Sequence, residues 1–438
     1  MNKHEIELVD IVSLKPDPSN ARTHPKKHIE LLVKSMKAFG FMNPVLVDKD
    51  NQVIARHGRL LAAKSMQMKQ VPVIRANHLS PDEAPAYALA DNKIALGAGW
   101  DNSLLRVSLE QLMSVKLDFS IDTTGFSTPE VDLIIHGSDP LDVPAQAPPA
   151  FEETVSREGD IWVLGRHIII CGDSRTSPDL TRVLKGEQIA LGLTDPPYNV
   201  KIDGHVSGLG EVSHREFAMA AGEMSASDFE AFLRDSIGQM AKLAKPGTLL
   251  YLFMDWRHLP ELQAATNALG LEPVNLCVWV KSNGGMGSFY RSQHELVWIV
   301  KTPGAGRVNN VELGKHGRYR TNVWRYAGMN SFGAERDETM RLHPTVKPVA
   351  MIRDAILDAS NPGDWVLDMF LGSGTTLIAA EQCGRRCLGV ELDPGYVDVA
   401  VARWRELTGN EPHHFDLSKS WNNVAADRGP HAALVVNG

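Results

Sequence analysis

Cysteine is scarce in this chain. Four thiols in 438 residues, Cys171, Cys277, Cys383 and Cys387, are too few and too scattered for a disulfide framework. Cys383 and Cys387 flank Gly384-Arg385-Arg386 with no second Cys/His pair at zinc-binding spacing, so they read as buried thiols beside a strand. His413-His414 is an equally weak metal signal. No apolar run approaches the ~20 residues that a membrane-spanning helix needs. The first fifteen residues mix charge with short apolar runs and lack a signal-peptide core. These absences predict a soluble, reduced, cytoplasmic protein with no membrane partner. Positive charge is not in excess either. Lys and Arg number 45 against 53 Asp and Glu, a formal net charge of −8, so any surface for a polyanion has to be a local basic patch. Internal repeats are absent from the sequence.

What is present is ordinary globular composition, 43% hydrophobic and 22% charged, in a chain long enough for two or three compact units. Residues 1–125 read as a small α/β unit. Strands are expected at 5–12, 44–47, 53–55 and 71–74, and helices at 28–39, 58–66, 81–96 and 103–115, the last two capped by Ser80 and Asn102. Residues 126–156 read as a linker, because Pro140, Pro144, Pro148 and Pro149 fall together with little periodicity. From 157 to 410 strands alternate with helices. A hairpin at 160–171 turns on Gly165-Arg166, and a short apolar strand covers 189–194. An amphipathic helix at 228–243 carries Phe229, Phe232, Leu233, Ile237 and Met240 on one face, and Lys245-Pro246-Gly247 stops it. Strands at 248–254, 274–280 and 296–300 follow. The end of the unit reads as helix 348–359, strand 365–370, helix 375–382, strand 386–391 and helix 394–407. This alternation predicts an α/β fold with a doubly wound, mostly parallel sheet and ligands at the carboxyl ends of its strands. Residues 411–438 lack periodicity and read as a mobile tail.

Three motifs carry chemistry. Asp195-Pro196-Pro197-Tyr198 directly follows the strand at 189–194. Two prolines remove two backbone donors and fix φ, so a stiff loop holds a carboxylate, a free carbonyl and an aromatic face at the rim of a sheet. That set suits the exocyclic amine of a flat base. Such an amine has its lone pair delocalised into the ring. Hydrogen bonds from its two protons to Asp195 and the Pro196 carbonyl favour a pyramidal nitrogen with a localised lone pair. Tyr198 can stack on the base, which has to leave the duplex to arrive there. The second motif, Leu367-Asp368-Met369-Phe370-Leu371-Gly372-Ser373-Gly374-Thr375-Thr376, passes from a strand through a glycine turn into a helix. It lacks the Gly-Lys-Ser/Thr ending of a P-loop, and Leu377 stands where a dinucleotide fingerprint has its third glycine. About twenty residues on, Glu391 ends a strand where a carboxylate can accept both ribose hydroxyls of an adenosine ligand. The third is His343-Pro344-Thr345-Val346-Lys347-Pro348, stiffened by prolines at a helix start.

In this order the three motifs closely resemble the amino-methylating DNA methyltransferases in their permuted arrangement, in which the catalytic loop precedes the cofactor loop. The resemblance covers roughly residues 157–409. Lys245-Pro246-Gly247, Trp279-Val280-Lys281 followed by His294-Glu295, and Asn322-Val323-Trp324 agree with it. The resemblance implies S-adenosylmethionine as cofactor and double-stranded DNA as substrate. Catalysis would fall to Asp195, Pro196, Pro197 and Tyr198. Asp368, Phe370, Gly372 and Gly374 would line the cofactor's methionine end, with Thr375 nearby. Glu391 would hold the ribose, Thr345 and Lys347 would close over the amino-acid portion, and Asp173 of Gly172-Asp173-Ser174 would lie near the adenine ring. In-line displacement on a sulfonium carbon calls for no metal. Asp195, where many cytosine-directed relatives carry Ser, favours the 6-amino group of adenine, with the 4-amino group of cytosine as alternative. Enzymes of this kind occur in restriction–modification systems and are commonly dimers, so a homodimer is admitted. Methyl transfer to RNA or to a protein glutamine uses related loops. A nicotinamide-dependent oxidoreductase leaves both proline motifs without a purpose.

Between 301 and 342 the cations Arg307, Lys315, Arg318, Arg320, Arg325, Arg336 and Arg341 interleave with Tyr319, Trp324 and Tyr326. Phosphate contact and base stacking are expected there, at Arg318, Arg320 and Arg325 above all. Residues 201–224 and 282–291 are further candidates for DNA contact. In the N-terminal unit, residues 53–63 with Val71-Pro72-Val73, and Ile11-Val12-Ser13-Leu14-Lys15-Pro16 with Asn20-Ala21-Arg22, resemble the ParB/sulfiredoxin-like fold. The resemblance implies a phosphate site at Gly58 and Arg59, hence a nucleotide or a DNA-binding role. Arg56 replaces the family's usual glycine, and the second signature segment is not recognisable at 87–96. A rival reading of the whole chain is a ParB-like DNA-binding protein with a non-catalytic methylase scaffold.

Overall fold

The computed structural model describes residues 5–115, 118–136, 154–176, 179–200, 222–281, 284, 289–311, 320–326 and 347–428. The chain divides into residues 1–137 and 138–438. In the first unit β1 (Ile6–Asp10), β2 (Val45–Val47), β3 (Val53–Ala55) and β4 (Gln70–Arg75) form a sheet in the order β1-β4-β2-β3. The period of two along β2 and β4 turns Val45, Val47, Val71 and Val73 to one face, where they pack with Leu60, Ala62 and Ala63 of helix His57–Ser65. Helix Asn102–Ser114 is capped by Asp101, whose side chain accepts from the Ser103 and Leu104 amides, so Asn102 lies inside the helix rather than capping it.

The stretch read as a linker from residue 126 is corrected in part. Thr128–His136 is a helix opened by a side-chain cap, in which the Ser127 amide and hydroxyl both donate to Glu130 Oε2 at 2.7 Å. Its Val131 and Ile135 pack on Leu105 and Leu109. The proline-rich residues 138–149 lie outside the described residues.

The second unit contains, among the described residues, a ten-stranded sheet: β5 (Ile161–Leu164), β6 (His167–Cys171), β7 (Ile189–Thr194), β8 (Ala244–Met254), β9 (Glu272–Val280), β10 (His294–Lys301), β11 (Val323–Arg325), β12 (Trp365–Asp368), β13 (Arg386–Glu391) and β14 (His413–His414). Their order is β11-β9-β10-β8-β7-β12-β13-β6-β5-β14. The centre, β8-β7-β12-β13-β6, is parallel, whereas β10 runs antiparallel to both β8 and β9. The expected mostly parallel sheet is therefore present. The predicted face of helix Ala226–Leu243 packs on Leu250, Leu252 and Met254.

Chain order decides where a ligand goes. From β7 the chain proceeds outward to β8, and from β12 it proceeds the other way to β13. β7 and β12 themselves are adjacent and parallel, with Val366 opposite Leu191 and Leu367 opposite Gly192. The loops leaving their carboxyl ends, 195–198 and 369–374, consequently diverge from one point and leave a crevice there.

Several elements carried no readable period: helices Asp179–Leu184 and Leu259–Ala268, and strand β11. The expected mobile tail is a further correction. β14 pairs with β5, and helix Trp421–Arg428 buries Trp421 against Trp162 with ring centroids 4.5 Å apart. Asp160 fastens both pieces, receiving His414 Nε2 at 3.0 Å and Arg428 Nη2 at 2.9 Å. Two residues of strand and eight of helix are too short to show periodicity, so their order comes from tertiary partners. All four cysteines are buried, and none is in a disulfide. Among the described residues no helix is long and apolar enough to cross a membrane. Trp421→Ala is expected to destabilise the protein by about 3–5 kcal/mol, the usual cost of emptying a large aromatic site. Urea unfolding followed by Trp fluorescence would measure it, and an unchanged midpoint would show that the tail adds nothing.

Candidate active site

The carboxyl end of β7 delivers Asp195 into a cluster of four charges. The Lys347 ammonium lies 2.7 Å from Asp195 Oδ2 and 2.8 Å from Glu295 Oε2. The Tyr198 hydroxyl donates to Asp195 Oδ1 at 2.6 Å and lies 3.2 Å from Glu295 Oε2. The Lys281 ammonium contacts the other Glu295 oxygen. Two carboxylates and two ammoniums thus balance in a buried site. Rings complete the enclosure. Lys347 Nζ is 5.3 Å from the Phe253 ring centroid and 5.7 Å from that of Trp279, within cation–π range of both.

Each titration shift has a physical cause. Burial raises the Asp195 carboxyl above the usual range, Lys347 opposes this, and Glu295 adds to it. Burial alone would also raise Glu295, but Lys347 and Lys281 outweigh it and hold that carboxyl at about 2. Burial would lower Lys347, yet Asp195 and Glu295 carry it well above the ordinary lysine range. The Tyr198 phenol is raised by burial and then by its two anionic neighbours. At neutral pH Glu295 is the fixed anion and Asp195 the carboxylate more ready to accept a proton.

Beside this cluster, Asp368 ends β12 with both oxygens engaged. Oδ1 accepts from the Thr194 hydroxyl at 2.9 Å and the Phe370 amide at 3.1 Å, and Oδ2 accepts from the Thr376 hydroxyl at 2.6 Å. Burial raises it to about 6. It ties β7, β12 and the following helix together, so its side chain shapes the loop more than it faces a ligand. Gly372 has φ 55° and nothing within 4 Å of where a Cβ would project, whereas a Cβ on Gly374 (φ 85°) would fall 2.7 Å from that of Ala400. The first glycine leaves its backbone open to a ligand, and the second lets helix Pro394–Thr408 pack against the loop. Glu391 Oε2 accepts the Gly372 amide at 2.8 Å and Oε1 the Asp393 amide at 2.8 Å. Burial raises that carboxyl to about 7. Phe370 packs on Phe232, and Thr375 is buried at the start of helix Thr375–Gln382.

The structure thus brings Asp195, Tyr198 and Lys347 together, and sets Asp368, Phe370, Gly372, Gly374 and Glu391 around the neighbouring loop. Lys347, expected over a cofactor's amino-acid portion, spans two carboxylates, because a buried ammonium is stable only where anions replace its water. Asp173 is held in an ion pair with Arg175, Nη2 to Oδ2 2.6 Å. Arg320, expected to meet phosphate, is corrected. Its Nη1 lies 2.8 Å from Asp354 Oδ2 and its Nε 2.7 Å from Asp358 Oδ2. Trp324 is buried and Tyr326 packs on the core, so these aromatics are structural and not free for bases. Arg325 is exposed. Thr345 and Arg318 lie outside the described residues. Sequence reasoning gave no role to Glu295 and Lys281. The signal was their neighbourhood across a hairpin, where Glu295 pairs with Trp279 and His294 with Val280.

In the N-terminal unit, Gly58 sits beneath His24, whose Nδ1 would come within 3.0 Å of an added Cβ. Arg56 opens helix His57–Ser65 at φ 71°, and His57 Nε2 accepts the Asp17 amide at 3.2 Å. Arg59 is half-buried, and its guanidinium makes no hydrogen bond or ion pair among the described residues. Burial, then Arg56, lowers its pKa.

Comparison with known proteins matches residues 189–402 to a family described as DNA methylase. Residues 1–93 match the ParB N-terminal domain, and residues 103–158 match the ParB-methyltransferase HTH domain. The last was not anticipated, and it takes in the whole segment read as linker, residues 126–156. The chain is 26% identical over 250 residues to Type II methyltransferase M.HinfI of Haemophilus influenzae, covering 54% of this chain and 68% of that protein. It is 25% identical over 228 residues to Type II methyltransferase M2.DpnII of Streptococcus pneumoniae, covering 50% of this chain and 84% of that protein. Among solved structures, the crystal structure of the M1.HpyAVI-SAM complex aligns at 21% identity with a TM-score of 0.39, over 54% of this chain and 97% of that one.

The charge balance can be tested directly. Lys347→Met leaves two buried carboxylates without their shared cation and is expected to cost about 3–5 kcal/mol in urea unfolding. Adding Asp195→Asn to it should recover part of that loss. A double variant no more stable than Lys347→Met alone would show that the two groups are not coupled.

Proposed function

We propose, from the match of residues 189–402 to the DNA methylase family, that this chain transfers a methyl group from S-adenosylmethionine to the 6-amino group of adenine at a specific site in double-stranded DNA. The observation that carries this reading is the adjacency of two loops, one bearing Asp195 and Tyr198 and the other bearing Gly372, at the parallel carboxyl ends of β7 and β12.

The glycine loop fits an adenosine ligand. Gly372 leaves its backbone face open, and each Glu391 oxygen spends one lone pair on a backbone amide and keeps another for a ribose hydroxyl. Phe370, Gly374, Thr375 and Asp368 shape that loop. S-adenosylmethionine, when bound, supplies a methyl group on a sulfonium, activated toward attack by a nitrogen lone pair. Asp195 accepts one amine proton and the Pro196 carbonyl the other, which frees the nitrogen lone pair for in-line attack. As the new N–C bond forms, the methyl–sulfur bond would break with its electron pair left on sulfur as a neutral thioether; the nitrogen becomes acidic and Asp195 takes its surplus proton. Glu295 stays anionic throughout and holds Lys347 and the Tyr198 hydroxyl, so Asp195 and the Tyr198 ring keep their positions. Pro197 stiffens the loop, and Tyr198 presents a ring face for the base.

We assign the N-terminal unit, residues 1–125 with helix Thr128–His136, to partner binding. The unengaged Arg59 beside a helix start is suited to the phosphate of a nucleotide or of DNA. Arg325 is the exposed cation of the expected DNA surface. A protein of this kind works in the compartment that holds the chromosome, the cytoplasm of a bacterial cell.

Incubation with tritiated S-adenosylmethionine and mixed DNA, followed by nucleoside analysis, is expected to give 6-methyladenine that disappears in Asp195→Ala. Label recovered only as 4-methylcytosine would overturn the base assignment. Glu391→Gln is expected to raise KM for S-adenosylmethionine roughly thirtyfold, corresponding to loss of a charged hydrogen bond worth about 2 kcal/mol. The Glu391 carboxyl sits at about 7, so the wild-type KM should rise as pH falls through 7, where the carboxylate is protonated. That dependence should vanish in the Gln variant. A wild-type KM flat from pH 6 to 8 would remove Glu391 from ribose binding.

A further inference from the structure

Phe289 and Tyr290 are 87% and 81% exposed, and their rings meet only edge to face, with centroids 4.5 Å apart. Large apolar surface left open in this way marks a contact site. Their position says what the contact is. They sit between β9 and β10 on a hairpin closed by two hydrogen bonds, Lys281 N to Gln293 O at 2.9 Å and Gln293 Nε2 to Lys281 O at 2.8 Å. The same Lys281 contacts Glu295, and Glu295 meets both Lys347 and Tyr198. The base of the hairpin is therefore part of the charge cluster. Next to them Arg291 lies against Gly284, where a Cβ would fall 3.3 Å from that of Arg291.

An amine inside a duplex cannot reach Asp195, so the base has to be extruded, which leaves a gap in the stack and costs unstacking energy. Apolar or aromatic side chains inserted at a base step can fill such a gap, and any base offers a π-face to them. We propose that Phe289 and Tyr290 are a DNA wedge that occupies the stack vacated by the target base. This rests on the methyl-transfer reading and names the means by which the base is kept out. The occupant is duplex DNA, on the ground of continuity, because the hairpin that bears the rings shares Lys281 with the catalytic carboxylates.

The experiment uses the full-length protein and a duplex carrying its site, located by sequencing DNA methylated by the wild type. Phe289→Ala/Tyr290→Ala is compared with wild type on that duplex and on the same duplex with an abasic site opposite the target adenine, where extrusion costs little. The double variant should lose roughly ten- to hundredfold in kcat/KM on the paired duplex, the scale of one base stacked on an aromatic ring. It should stay within about twofold of wild type on the abasic duplex, where the extrusion step that the wedge serves is already relieved. Phe289→Trp/Tyr290→Trp should restore activity on the paired duplex. Equal loss on both duplexes, or no loss on the paired one, would overturn the wedge. Wild-type protein that labels no DNA would overturn the proposed function and the wedge with it.

Discussion

An ammonium buried between two carboxylates is unstable by itself and becomes favourable only if everything around it is fixed. Lys347 sits 2.7 Å from Asp195 and 2.8 Å from Glu295, and those residues come from the ends of β7 and β10, two strands separated by β8. With the cation absent, two anions would share a dry pocket and one would take up a proton. With it in place both can remain charged, and their unequal surroundings separate their duties. Glu295, held by two lysines, is locked as an anion. Asp195, held by one lysine and a phenol, keeps proton affinity and free lone pairs. The asymmetry that the chemistry needs comes from counting partners.

That arrangement places demands on the sheet. Asp195 with Tyr198, Glu295 and Lys347 lie on three separate stretches of chain, and a sheet whose strand order reverses at β7 and β12 gathers them beside the glycine loop. The reversal leaves the crevice, and Asp368 closes its floor by bonding Thr194 of β7 and Thr376 of the next helix. Asp368 is read in sequence as part of the cofactor loop. Structurally it is the clasp between the two loops, so a change there would disturb the acceptor and donor sides together.

Legibility in the sequence followed the range of the interactions. The strands at 161–171, 189–194 and 386–391 and the helix at 226–243 were readable because their periods are long and their caps local. Asp195, Tyr198, Gly372 and Glu391 were readable because proline and glycine mark backbone that has to be stiff or open. What failed was long-range. Nothing in the contiguous motif of Lys347 showed that it pairs with Asp195 and Glu295, about 150 and 50 residues away in the chain. Arg320 looked like a phosphate contact because cations and aromatics alternate there, yet Asp354 and Asp358, one helix later, neutralise it. Trp421 lay in a stretch without period and is ordered by Trp162. The match of residues 103–158 to a helix-turn-helix domain was hidden, because Pro140, Pro144, Pro148 and Pro149 dominate the reading of that stretch.

Internalising Arg320, Trp324 and Tyr326 bears on how DNA would be held under the proposed function. Arg320 is committed to Asp354 and Asp358, so the phosphate contacts of that reading fall to other cations, such as the exposed Arg325. Stacking of a base on an exposed aromatic ring is a contact that does not depend on charge, and it weakens less steeply with salt than phosphate pairing does. The same economy explains the neutral cluster at the site. A pocket with surplus positive charge would hold the phosphate backbone, whereas two carboxylates balanced by two ammoniums leave room for a neutral base whose amine alone has to be recognised.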